Sequence, residues 1–181
     1  MTERADKVMW QIIRWCCLAA SIACMIFIFA NSAETGNESG EKSETLAERV
    51  APIVVPHYEE LTPPEQKERV VKVDFHLRNA AHFSEFAALG FFLYPFFLSW
   101  NPPSVSKVWR WRRTGLSAIF AVALSAGYAL SDEIHQFYVP GRAFEWADVA
   151  TDARGALLGV VISALCTTAV LIVWRAVREG K

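Results

Sequence analysis

The sequence predicts an all-α protein: an integral membrane four-helix bundle with a long extracytoplasmic loop that contains a short helix. Three observations predict it. Four apolar runs each approach the roughly 20 residues a helix needs to cross the hydrocarbon layer. No segment alternates polar and apolar with a period of two, and in lipid only helices and closed barrels satisfy their own backbone, so the runs are read as helices. Finally, 53% of the 181 residues are hydrophobic and 13% aromatic, which rules out a disordered chain, while a net charge of −1 gives no general attraction to nucleic acid. One domain, residues 1–181, is expected from the length.

The first membrane helix covers about residues 12–31, with Arg4, Lys7 and Arg14 at its start and Trp10 and Trp15 as interfacial anchors. A cleaved secretory leader starts similarly. Here the apolar core is long, and Asn31-Ser32-Ala33-Glu34 makes a poor cleavage site, so the segment is read as a retained anchor. Cys16, Cys17, Cys24 and Cys166 all lie in apolar runs without zinc-type spacing and are read as small hydrophobes.

Residues 33–79 form the extracytoplasmic loop, read as a lid or spacer. Its beginning, Glu34 to Glu44, is rich in Ser, Gly, Glu and Asn and reads as flexible. Thr45 to Val50 suits a helical turn that Pro52 would stop. Thr62-Pro63-Pro64-Glu65 is a helix start, with Thr at the cap, Pro at the first position and Glu three residues after Thr, so a helix is predicted to about Arg78.

The second membrane helix covers about 80–100, and Pro95 is expected to bend it. At its start Arg78, His82 and Glu85 are spaced four and three apart and share one face. The connection through Arg113 is basic and rich in Trp (Trp100, Trp109, Trp111), the composition of an interfacial anchor. The third helix, about 114–131, is rich in small residues that let neighbours approach closely. If it continues, Asp132 and Gln136 share a face with Glu133 beside them, before Pro140-Gly141 turns the chain. The fourth helix, about 153–174, is announced by Asp148. Asp148, Asp152, Gly155 and Gly159 form one stripe, expected to face the bundle and carry both acids inward; a homodimer through Gly155 and Gly159 is the other use of that face.

Orientation follows from Lys and Arg in short connections. They gather at both ends of the chain and between the second and third helices, whereas Asp132 to Arg154 holds two arginines against five acids. Both termini and the connection between the second and third helices are therefore expected in the cytoplasm, with Ser131 to Arg142 outside.

The outer ends of three helices then bring together Arg78, His82, Glu85, Asp132, Glu133, His135, Gln136, Arg142, Asp148 and Asp152. The ordinary reading is an interfacial cluster in which Asp148 caps a helix and Arg142 pairs with an acid. Against it, Glu85, Asp132 and Asp152 sit at or just inside the helix ends, where unpaired charge is costly and needs partners.

Three segments resemble the VanZ-like family of bacterial membrane proteins. They are Arg78-Asn79-Ala80-Ala81-His82-Phe83-Ser84-Glu85-Phe86, with Phe86 where Tyr is usual; Ser131-Asp132-Glu133-Ile134-His135-Gln136-Phe137-Tyr138-Val139-Pro140-Gly141-Arg142; and Asp148-Val149-Ala150-Thr151-Asp152-Ala153-Arg154-Gly155, with Asp152 where many relatives have Asn. Phe29-Ala30-Asn31-Ser32 is a weaker match. The resemblance implies a bacterial membrane protein whose family's founding member is linked to resistance to teicoplanin, a lipid-anchored glycopeptide; it carries no mechanism.

Three functions are compatible with these residues. As a binding protein, the chain would hold an anionic lipid-linked head group or a lipid-anchored antibiotic with Arg78, His82 and Arg142, oriented by Glu85, Asp132, Glu133, Gln136, Asp148 and Asp152. As an enzyme on a lipid or cell-wall substrate, it would use Glu133 or Asp132 as base and His82 or His135 as acid. Alternatively the cluster is a salt-bridge network in a scaffold. No cofactor or nucleic acid is expected; membrane lipids are the expected partners and a homo-oligomer is open. A metal held by the carboxylates and histidines belongs only to the enzyme alternative.

Overall fold

The computed structural model describes residues 2–100 and 107–179. Five helices follow in order: α1 (Thr2–Ser32), α2 (Gly36–Val54), α3 (Pro63–Ser99), α4 (Lys107–Phe137) and α5 (Trp146–Glu179), with one 3-10 turn at Tyr58–Glu60 before α3. All but α2 are long and apolar enough to cross a membrane. The all-α architecture and the four spans expected from the sequence are therefore present, and the chain is a multi-pass membrane protein. The basic, Trp-rich anchor falls partly outside the described residues, which leave out 101–106 and the side chains through 111.

The bundle is built around α3, which packs on α1, α4 and α5. Its buried residues Phe86, Leu89, Leu93, Tyr94 and Leu98, at steps of three or four apart from the adjacent pair Leu93-Tyr94, form the inner stripe. Against it α4 offers Ser117, Ala121, Ser125 and Ala129, four small buried residues at i, i+4 spacing. The α3–α5 seam is tighter still. A Cβ added at Gly155 or Gly159 would collide with the carbonyls of Phe83 and Ala87, and one at Gly90 with that of Ala156. Backbone thus meets backbone, as close-packed membrane helices require. The Gly155–Gly159 face is packed against α3 within the chain. At the far end Arg14 donates to the Ser99 carbonyl at 2.8 Å and lies 4.6 Å from the Trp100 ring centroid, which ties α1 to the end of α3.

The loop expected over 33–79 is a helical hairpin instead. The stretch read as flexible begins α2, because Thr35 and Glu38 form a capping box: Glu38 N–H donates to Thr35 Oγ1 at 3.3 Å and Thr35 N–H to Glu38 Oε2 at 3.1 Å. Pro52 does not stop α2 at Val50; it sits inside the last turn, and Val55 N–H still reaches the Ala51 carbonyl at 2.9 Å. The small side chains Ala47 and Ala51 pack α2 onto Val70. The helix that begins at Thr62 also does not end at Arg78. Nothing at Arg78-Asn79-Ala80 breaks it, and it becomes the second membrane helix, running on through Pro95. At 37 residues α3 is about 55 Å long against a hydrocarbon layer of about 30 Å, longer than one crossing needs, and its first half carries α2.

Candidate functional site

A cavity of about 240 Å³ lies where α1 ends, α2 folds back and α3 passes the end of α4. α1 and the turn after it supply Asn31, Ser32 and Glu34; α2 supplies Ser39, Lys42, Ser43 and Leu46; α3 supplies Leu77, Arg78, Ala81, His82 and Glu85; α4 supplies Asp132; and the turn after α4 supplies Arg142. Helical spacing puts Arg78, His82 and Glu85 on one face of α3, and that face is turned to the cavity.

Two turns close the cavity by clasping each other. Gly36 N–H donates to the Pro140 carbonyl at 3.0 Å, and a Cβ on Gly36 would collide with the Gly141 carbonyl. Gly141 itself has φ 77°, a conformation that glycine adopts without steric cost. The clasp holds Arg142 over the site, where its Nε donates to the Glu34 carbonyl at 3.3 Å and its Nη1 to Gln136 Oε1 at 3.4 Å.

The cations of the wall are in unequal situations. Lys42 pairs with Glu34. Arg78 donates through Nε to Ser43 Oγ at 2.9 Å and sits 3.3 Å from Asp74 Oδ2. Arg142 is half-buried, and among the described residues no carboxylate forms an ion pair with it. Burial, followed by the like charge of Arg78, lowers its pKa; Glu34, Asp132 and Glu133 oppose this only through space.

Asp132, Glu133 and Asp152 are buried and Glu85 is half-buried. Gln136 Nε2 donates to Asp132 Oδ2 at 2.9 Å, while among the described residues no donor lies within hydrogen-bond geometry of Asp132 Oδ1. Glu85 Oε1 accepts from Asn31 Nδ2 at 2.9 Å. Asp152 is 1% exposed, and its Oδ1 lies 3.8 Å from His82 Nδ1, too far for a hydrogen bond; both atoms are buried and unpartnered. His135 Nδ1 meets Ser32 Oγ at 3.2 Å, and its ring lies 4.7 Å from that of Phe29.

Five of the residues singled out from the sequence therefore reach the cavity: Arg78, His82, Glu85, Asp132 and Arg142. Gln136, Glu133 and Asp152 lie buried behind it, and Asp148 is half-buried in the first turn of α5. Glu133 is not available as a base on the cavity wall. Its Oε1 accepts the Glu145 N–H at 2.7 Å and anchors the chain just ahead of α5. That helix begins at Trp146, two residues before the acid read as announcing it. Lys42, Ser43 and Glu34 were missed as site residues, since only the fold-back of α2 brings them in; the Thr35-x-x-Glu38 capping pattern was the available signal. Among the described residues no three His, Cys, Asp or Glu side chains are gathered so as to hold a metal ion. The arrangement suits an anion on the cation side and a proton on the acid side.

A family model described as VanZ/LLP1 matches residues 17–167. Comparison with curated proteins and with solved structures gives no match. The matched stretch includes all four membrane helices in whole or part, the α2 hairpin and every cavity residue. With most of its length matched, the chain belongs to the VanZ/LLP1 family.

Proposed function

We propose that the cavity binds the anionic head group of a lipid or lipid-linked envelope molecule, phosphate foremost, at the outer face of the cytoplasmic membrane. Arg142 carries this reading. It is a half-buried guanidinium on the cavity wall, held by two long hydrogen bonds to neutral oxygens and facing a second arginine. Two like charges across an opening are stabilised by an anion between them, and the planar guanidinium fork matches phosphate or carboxylate. Ile28, Leu46 and Leu77 give the same cavity an apolar edge suited to the chain of an amphiphile. A lipid-anchored glycopeptide would enter by the same chemistry, and tolerance to such an antibiotic would follow from its capture.

A purely structural cluster accounts for the Lys42–Glu34 and Arg78–Asp74 pairs but not for Arg142 or the unpartnered acids. The test is thermal unfolding of the purified full chain with phosphatidylglycerol or phosphatidylcholine. Phosphatidylglycerol should raise the unfolding temperature, in line with the ~2.7 kcal/mol that a ligand at a hundred times its Kd contributes. Arg142→Gln should lose that gain. Equal stabilisation by the two lipids would remove the proposal.

A further inference from the structure

We propose that the floor of the cavity is a proton-binding site, and that each anionic head group is bound together with one proton taken up by His82 against Asp152. The inference rests on the anion-binding reading above and deepens it.

His82 is the link between the two halves of the site. Its side chain lines the cavity and is 25% exposed, while its Nδ1 is buried and directed at Asp152 Oδ1 at 3.8 Å. Among the described residues Nε2 has no hydrogen-bond partner, so that side of the ring is free to meet a ligand in the cavity that His82 lines. The ring therefore lines the place of the ligand while its Nδ1 is directed at a carboxyl group that is 1% exposed. The Nδ1 to Oδ1 gap is too long for a hydrogen bond and too short to hold a water between the two atoms. A shift of about 1 Å would close it into a charge-assisted bond of about 2.8 Å once the ring carries both protons.

The charges facing the ring explain why the proton and the anion belong together. Arg78 of α3 and Arg142 of the turn after α4 line the same cavity as the ring, and their positive charges oppose a further cation there while the cavity is empty. From α2 comes Lys42, already paired with Glu34 of the α1–α2 turn. Glu85 of α3 is held by Asn31 of α1, and Glu133 of α4 by the Glu145 N–H. His135 of α4 is engaged with Ser32. This leaves Asp132 of α4, on the cavity wall, and Asp148 in the first turn of α5 as the acids that favour an imidazolium through space, with Asp152 of α5, its Oδ1 3.8 Å from Nδ1, as the acceptor that the Nδ1 proton would reach on closing. An anion seated between the two arginines cancels their opposition, so the anion favours the proton and, by reciprocity, the proton favours the anion. The sign follows: binding tightens as pH falls and weakens as it rises.

The test uses the full chain and phosphatidylglycerol, whose phosphodiester does not titrate near neutral pH. Affinity is measured by calorimetry between about pH 5.5 and 8.5, the range over which a histidine changes charge, in buffers of different ionisation enthalpy. Uptake approaching one proton per lipid is expected, with Kd rising up to about tenfold per pH unit in the steepest part of the range. His82→Gln should still bind but lose both the slope and the proton uptake, and Asp152→Asn should reduce both. Wild-type binding that is flat in pH would overturn the proton site and leave the anion site standing. A slope retained in His82→Gln would overturn the assignment to His82. No binding at any pH would overturn both.

Discussion

The α3–α5 seam and the cavity share one pair of helices and obey opposite rules. Along the seam Gly155 and Gly159 let α5 rest on the backbone of α3, and the buried groups around them are apolar. One turn away Asp152, on the same stripe of α5, points an unpartnered carboxylate oxygen at an unpartnered histidine nitrogen. The seam is finished as it stands. The cavity is not, since buried polar groups left without partners cost stability and persist where something else selects for them. The contrast separates residues that make the bundle from residues that give it something to do.

The largest expected effect lies in the seam. Gly159→Leu would drive a side chain into the Ala87 carbonyl and should abolish the folded protein, since overpacking even by a few atoms costs about 1–3 kcal/mol and here backbone has to move. Loss of a monodisperse species in detergent gel filtration checks it. A well-folded Gly159→Leu would show that the seam is not what holds α5. Next comes the cavity wall. Arg142→Gln should weaken anion binding by about 10- to 100-fold, the range that corresponds to about 1.5–3 kcal/mol for hydrogen bonds to a charged group. Its ligand-free unfolding temperature should stay the same or rise, because among the described residues Arg142 has no ion pair to lose.

Smaller effects sharpen the line between the two regions. Thr35→Ala removes the cap of α2 and should cost about 0.5–2 kcal/mol, read as faster hydrogen exchange in residues 36–54 with α3–α5 protection unchanged. Asp152→Asn should not lower ligand-free stability at all. If Asp152 were half of a structural ion pair, its loss would cost about 3–5 kcal/mol, and a drop of that size would move it from the cavity's account to the bundle's.

The sequence made the bundle legible and the hairpin only in part. Membrane spans are long apolar runs whose signal needs no partner, and the Thr62–Glu65 start of α3 is a local pattern, so both could be read directly. α2 was hidden because its composition is that of a flexible segment and its packing face is two alanines, Ala47 and Ala51, whose partner Val70 lies across a turn. The continuity of α3 was hidden because hydropathy changes at Asn79 while helical backbone does not. For the site, spacing put Arg78, His82 and Glu85 on one face. It could not show that Glu133 is engaged by a backbone N–H or that Lys42 and Ser43 are folded back onto the wall, since both depend on where the turns bring the chain.

The central claim is that Arg142 and Arg78 frame a site for an anionic head group. It is tested most directly by titrating phosphatidylglycerol into purified wild-type protein and into Arg142→Gln under the same salt, with phosphatidylcholine as the control lipid. The account predicts saturable binding of phosphatidylglycerol over phosphatidylcholine in the wild type and at least about a tenfold loss in Arg142→Gln. Equal affinity of both proteins for phosphatidylglycerol, or no preference between the two lipids, would contradict it.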